Sequence, residues 1–183
     1  MLPLTTPRLV LRRLQDSDAP AMAAYRNDPE VARYQSWERC SLAEAKAIIT
    51  ENRNHTFGNP GEWIQAAIAL RTTDQLIGDV AMKLQRHDVR QAVVGFTIAR
   101  HQQRRGYASE ILTALYDYFF YVMGLHRVSA DCDPRNAASW GLMESLGMRR
   151  EAHHVRNLWF KGTWSDEYIY AILRDEWIAR RPQ

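Results

Sequence analysis

The chain is poor in cysteine. Among 183 residues only Cys40 and Cys132 occur, far apart and with no CxxC pattern. That excludes a disulfide-stapled scaffold and a cysteine-rich zinc module, and two reduced thiols fit a cytoplasmic protein. The six histidines form no HxxxH or HExxH pattern, and His153 and His154 would face opposite sides of a strand, so no metal site is expected. No apolar stretch reaches the ~20 residues needed to span a membrane. No secretory leader pattern opens the chain. Strong charge of one sign is also missing: Lys plus Arg number 24 against 21 Asp plus Glu, a formal net charge of +3. The pI is about 9.0. This suits an anionic ligand or an acidic partner, but the charge is too weak and too scattered for a DNA-binding surface. No repeat, low-complexity tract or linker divides the sequence, and its length and 46% hydrophobic content suffice for a single domain over residues 1–183.

What is present is an ordered series of strand and helix signals. Arg8 to Leu14 alternates as a strand. Asp16-Ser17-Asp18 with Pro20 starts a helix that runs to about Asn27 and is broken by Asp28-Pro29. Ser41-Leu42-Ala43-Glu44 is a capping-box pattern opening a helix with Ala45, Ile48 and Ile49 on one face. Phe57 to Glu62 reads as a loop. Trp63 to Leu70, Leu76 to Leu84 and Gln91 to Ala99, joined by short polar connections, form an antiparallel meander. Ala108, Ile111, Leu112, Leu115, Phe119 and Val122 place one apolar face on a long helix that Gly124 ends. His126 to Cys132 is the next strand, and strand–helix–strand at this length implies a parallel pair. Asn136 caps a shorter helix closed by Gly147. Met148 to Phe160 and Asp166 to Leu173 complete the sheet. The fold class is α/β with a mixed sheet.

Between the strand ending at Ala99 and the long helix stands Gln103-Arg104-Arg105-Gly106-Tyr107-Ala108. A strand, a basic loop with glycine and a helix start make an anion site, because the first-turn N–H groups are free and the helix dipole adds positive charge. Gly106 permits close approach of a ligand, and Arg104 and Arg105 suit a phosphate. The loop is read as holding a phosphorylated small molecule.

At these residues the chain resembles a known family. Gln103-x-x-Gly106-x-Ala108, entering a long helix, is similar to the acetyl-CoA pyrophosphate signature of the GNAT superfamily of N-acetyltransferases. Asn136-x-x-Ser139-x-x-Leu142-x-x-x-Leu146-Gly147 resembles its second motif in spacing. Thr5-x-x-Arg8-Leu9-x-Leu11-Arg12, Asn27-Asp28-Pro29-Glu30-Val31 and Trp164-Ser165-Asp166-Glu167-Tyr168 resemble the branch containing ribosomal-protein N-terminal acetyltransferases. These patches stand in the family's order over nearly the whole chain.

The resemblance implies a mixed, mostly antiparallel sheet of about seven strands with about four helices, splayed between the strand ending near Ala99 and the one starting near His126. It implies acetyl-CoA as acetyl donor, with no metal. The pantetheine amides would pair with the backbone of Thr97, Ile98 and Ala99. The diphosphate would lie on Gln103, Arg104, Arg105, Gly106, Tyr107, Ala108 and Ser109. Asn136 would cap its helix and touch the pantetheine, and Ser139 would face the CoA sulfur as the candidate catalytic donor. Four residues beyond Ser139, where many members carry a tyrosine acid, stands Met143, and Val93 stands where related sequences often have a glutamate base. The base is therefore sought among Asp131, Asp133 and Glu167, or in ordered water. Tyr34 and Trp37 would wall the acceptor pocket, with Trp63, Trp159 and Trp164 as further aromatic candidates. The acceptor implied is a primary amine: a protein or peptide N-terminus, a polyamine or an aminoglycoside-like molecule. A non-catalytic acyl-CoA sensor is the alternative. Dimers are common among similar proteins, and the aromatic C-terminal hairpin offers such a contact.

Overall fold

A computed structural model describes residues 2–180. Eight strands form one sheet: β1 (Leu4–Thr5), β2 (Leu9–Arg13), β3 (Ile64–Leu70), β4 (Leu76–Leu84), β5 (Gln91–Ile98), β6 (Arg127–Cys132), β7 (Arg149–Phe160) and β8 (Thr163–Leu173). Their spatial order is β1-β2-β3-β4-β5-β6-β8-β7. All neighbours are antiparallel except β5 and β6. The eighth strand beyond the expected seven is β1, a two-residue pairing of Leu4 and Thr5 against β2, too short to carry a periodic signal.

The helices are α1 (Ala19–Arg26), α2 (Pro29–Ala32), α3 (Leu42–Asn54), α4 (Tyr107–Asp117), α5 (Ala137–Ser145) and α6 (Arg174–Ala179). The capping box forms as its spacing demands: the Glu44 N–H donates to Ser41 Oγ at 3.2 Å and the Ser41 N–H to the Glu44 carboxylate at 2.7 Å. Asp28-Pro29 ends α1 and also starts α2, because Asp28 caps it by accepting from the Glu30 N–H at 2.9 Å and Pro29 sits at its first position. This one-turn helix and the short α6 raise the count above the expected four.

Alternation along the strands gives the sheet two covered faces. On one, Leu11, Ile68, Val80, Met82, Val94, Val128 and Tyr170 pack with Ile111, Leu112, Leu115 and Phe119. On the other, Ala67, Leu76 and Ala99 pack with Met22, Tyr25 and Ile49 from α1 and α3. The long helix continues past Asp117 as a π turn over Tyr118–Val122. The wider turn shifts the apolar stripe: Phe119 and Phe120 are fully buried, whereas Val122, expected inside, is 69% exposed. Gly124 follows in the left-handed region at φ 66°. Away from the site, Arg12 grips Asp18 with two bonds of 2.7 and 2.9 Å and donates to Asp74 at 2.6 Å, fixing the start of α1 to β2. Among the described residues no helix is long and apolar enough to cross a membrane.

The feature that positions the site is a partial divorce of two strands. β5 and β6 pair only at Gln91↔Arg127, Ala92↔Val128 and Val93↔Ser129. Beyond Val93, β5 continues beside β4 alone, while β6 follows β8.

Candidate active site

The opened edge has a defined polarity. Pairing of β4 with β5 runs unbroken from Gly78↔Ile98 to Leu84↔Ala92. Just outside it, the Ala99 N–H donates to the Ile77 carbonyl and the Gln85 N–H to the Gln91 carbonyl, each at 2.8 Å. Odd-numbered residues of β5 therefore turn their main-chain groups toward β4, and Val94, Phe96 and Ile98 turn theirs into the gap. Of the three residues expected to meet a pantetheine through the backbone, Ile98 has that orientation, while Thr97 faces β4, and Ala99 gives its N–H to Ile77 and its carbonyl to the Gln102 N–H at 2.8 Å. Val94 and Phe96 share the orientation of Ile98; which parity faces the gap depends on the register with β4, which the sequence of β5 does not state.

At the end of that edge the chain turns through Gln103 to Gly106. Gln103 Nε2 donates to the Ile98 carbonyl at 2.9 Å, so this side chain staples the loop to β5. Arg104 and Gly106 both lie in the left-handed region, at φ 59° and 77°. Gly106 is the residue before α4 and no side chain caps that helix. The first main-chain bond of α4 runs from the Glu110 N–H to the Gly106 carbonyl at 3.0 Å. The amides of Arg104, Arg105, Gly106, Tyr107, Ala108 and Ser109 have no protein acceptor among the described residues. Arg104, Arg105 and Gly106 are exposed, and the next three residues are half-buried. Such a row of free N–H groups at a helix start, flanked by two arginines, is suited to a diphosphate.

Across the gap, β6 ends at Cys132 and the chain turns to α5. Asn136 caps that helix, its side-chain oxygen accepting from the Ser139 N–H at 3.2 Å. The Ser139 side chain acts on the Cys132 thiol, favouring its charged form. Burial pushes that thiol up to about 12 despite the Ser139 contact, so Cys132 is neutral at physiological pH. Met143 is fully buried in the core, so the position where a tyrosine acid would stand supplies packing only.

The three carboxylates considered as bases differ in what holds them. Asp133 accepts from Arg135 Nε at 2.9 Å, from its Nη2 at 2.6 Å and from its N–H at 2.8 Å. Burial works upward on Asp133, but those bonds outweigh it and hold the carboxyl below its ordinary value. Glu167 accepts from Asn157 at 3.1 Å. Asp131 is exposed on the face of β6 opposite Cys132; its pKa is raised, first by desolvation and then by the charge of Glu167, with Lys83 pulling the other way.

Segment 33–41 stands over this turn. Tyr34 donates to the Arg135 carbonyl at 3.2 Å. Trp37 Nε1 donates to the Arg26 carbonyl at 3.2 Å, and the Arg26 guanidinium lies 4.1 Å from the Trp37 ring centre. Buried Arg26 also reaches Asp79 at 3.4 Å, beside the Tyr25 hydroxyl bonded to the same carboxylate. From the far side Lys161, between β7 and β8, donates to the carbonyls of Ala32 and Trp37 at 2.7 and 2.9 Å. Tyr34 is thereby tied to the residue before Asn136, and Trp37 is held between Arg26 and Lys161. The other aromatic candidates stand elsewhere: Trp63 lies under Lys83 Nζ at 4.6 Å, and Trp159 and Trp164 pack edge to face near the exposed hairpin tip. His153 is paired with Asp166 at 2.7 Å, while His154 sits opposite Glu167 in the strand register.

An open strand edge leading to a cradle of free amides suits an elongated donor that carries a diphosphate, and comparison with known proteins gives the class. Residues 8–149 match the family described as Acetyltransferase (GNAT) domain, so the chain belongs to that family and is an N-acetyltransferase. It is 33% identical over 174 residues to the Bacillus subtilis (strain 168) protein called Uncharacterized N-acetyltransferase YnaD, covering 95% of this chain and 98% of that one. It is 27% identical over 187 residues to the [Ribosomal protein uS5]-alanine N-acetyltransferase of Escherichia coli (strain K12), covering 97% and 94%. The solved structure of an acetyltransferase (GNAT family) from Bacillus anthracis superposes with a TM-score of 0.84 at 26% identity, covering 95% of this chain and 99% of that one.

Proposed function

We propose that this chain moves the acetyl group of acetyl-CoA to the free N-terminus of a protein or peptide by direct attack of the amine. The observation that carries the reading is the row of unpartnered amides from Arg104 to Ser109 at the end of an opened β5 edge. Those amides, with Arg104 and Arg105, hold the diphosphate. The main-chain groups of Ile98 and Phe96 accept and donate to the pantetheine amides as a neighbouring strand would, Ile98 giving its N–H because its carbonyl already serves Gln103. Acetyl-CoA supplies an acetyl thioester at that point, and the residues around it do the rest. The Ser139 hydroxyl donates toward the departing sulfur, which needs only modest help because a thiol has a pKa of about 8.5. Asp131, whose proton affinity is raised, takes the proton of the amine, directly or through water. Tyr34 and Trp37 orient the acceptor. A relative that acts on the alanine of a ribosomal protein supports a peptide N-terminus as acceptor.

The test is release of CoA thiol from acetyl-CoA with a panel of short peptides bearing free N-termini, spermidine and simple primary amines. Turnover on peptides above the other amines is the expected result. Preference for spermidine would move the acceptor to polyamines, and tight CoA binding without turnover on any amine would make the chain a sensor.

A further inference from the structure

Glu110 lies in the first turn of α4, where a free carboxylate would oppose a bound diphosphate. It is not free. Thr6 Oγ1 donates to it at 2.6 Å, the Arg8 N–H at 3.0 Å and the Arg8 Nε at 2.6 Å. The second arm of the same guanidinium donates to the Arg105 carbonyl at 2.9 Å, and its carbon lies 4.7 Å from the Tyr107 ring centre. One side chain from the start of β2 thus touches three residues of the amide cradle and its first turn.

The consequence follows from the peptide plane. The Arg105–Gly106 bond is trans, the cis bond of the described chain being Leu2–Pro3. In a trans peptide the C=O and the following N–H point in opposite directions. With the Arg105 carbonyl held toward Arg8, the Gly106 N–H is aimed away from Arg8. We propose that Arg8 is a positioning residue for the donor: through Glu110 and the Arg105 carbonyl it sets the direction of the Gly106 N–H and keeps the carboxylate and carbonyl off the diphosphate. Burial acts upward on Glu110, but the bonds from Thr6 and Arg8 outweigh it and keep the carboxyl ionised below its ordinary value. The clamp gives Arg8 of the Thr5-x-x-Arg8 pattern a role, with Thr6 rather than Thr5 meeting the same carboxylate.

The inference rests on the loop being the CoA site, and its test separates the two. Affinity for CoA is measured by calorimetry for the native chain, Arg8→Ala and Arg8→Lys, with turnover on acetyl-CoA and on S-acetyl-N-acetylcysteamine, a donor without the diphosphate. Both variants should lose about tenfold in CoA affinity, because lysine can pair with Glu110 but cannot fork to the carbonyl as well. Turnover on the truncated donor should equal that of the native chain, which general damage to the fold would not allow. Unchanged CoA affinity in both variants, full rescue by lysine, or equal losses on both donors would overturn the role of Arg8. Failure of the native chain to bind CoA would instead overturn the placement of the site.

Discussion

Tyr34 donates a hydrogen bond to the carbonyl of Arg135 at 3.2 Å, one residue before Asn136 caps α5. This bond spans 101 positions of sequence and joins the segment expected to wall the acceptor to the turn expected to meet the donor. Tyr34→Phe keeps the ring and removes the tether. The KM for the amine should rise about fivefold, the usual reach of one neutral hydrogen bond, with CoA affinity unchanged. Initial-rate kinetics with the acceptor and donor varied separately checks this, and a matched loss in CoA affinity would place Tyr34 on the donor side.

In the proposed site Gly106 bears on the donor directly. Its φ of 77° disfavours any side chain, and an added Cβ would come 3.3 Å from Arg8 Nη2. Gly106→Ala should cost about 1 kcal/mol of stability and weaken CoA several-fold. Gly106→Glu adds a charge where the diphosphate would lie and should abolish CoA binding while the fold survives. Calorimetry with CoA beside thermal unfolding separates the effects; normal binding by Gly106→Glu would move the diphosphate elsewhere.

Much of this site was legible because its parts are local. The Gln103 to Ala108 pattern, the Asn136 cap and the Ser41 capping box each act within a few residues, so spacing alone declares them. The strand limits followed from alternation, apart from β8, which begins at Thr163 rather than Asp166 because the hairpin pairs almost to its turn. What stayed hidden is contact between distant residues. Arg8 and Glu110, 102 positions apart, carry no mark of each other, and neither do Lys161 and Ala32. The parity of β5 was hidden for the same reason. Val122 failed through a local irregularity, since a π turn breaks the 3.6-residue period that periodicity assumes.

In the proposed mechanism Asp131 ties activity to stability. Its carboxyl holds a proton more firmly in the folded chain than an ordinary aspartate does, through desolvation and then Glu167. Below the unfolded value both states are protonated and nothing is lost; as pH rises through the raised folded value, the fold bears an unfavourable charge. Asp131→Asn should therefore raise the melting temperature at pH 7 only slightly, because the side chain is exposed, and lower kcat about a hundredfold. The rise of kcat with pH that tracks this ionisation should vanish with it. An Asn variant retaining full turnover would assign the proton to water.

Asn136 and Ser139 share a bond, so their roles must be separated by substitution. Asn136 Oδ1 accepts from the Ser139 N–H at 3.2 Å, and its loss removes a cap of about 1 kcal/mol. Asn136→Ala should lower the melting temperature and weaken CoA modestly. Ser139→Ala leaves that cap in place and removes only the hydroxyl beside Cys132. If the hydroxyl assists the departing thiolate, kcat falls about tenfold or more while CoA affinity holds, since an interaction made in the transition state lowers kcat without altering ground-state binding. The loss should shrink with a donor whose thiol is more acidic and leaves unaided. Equal losses in kcat and CoA affinity, or the same loss with every leaving group, would reduce Ser139 to a binding contact.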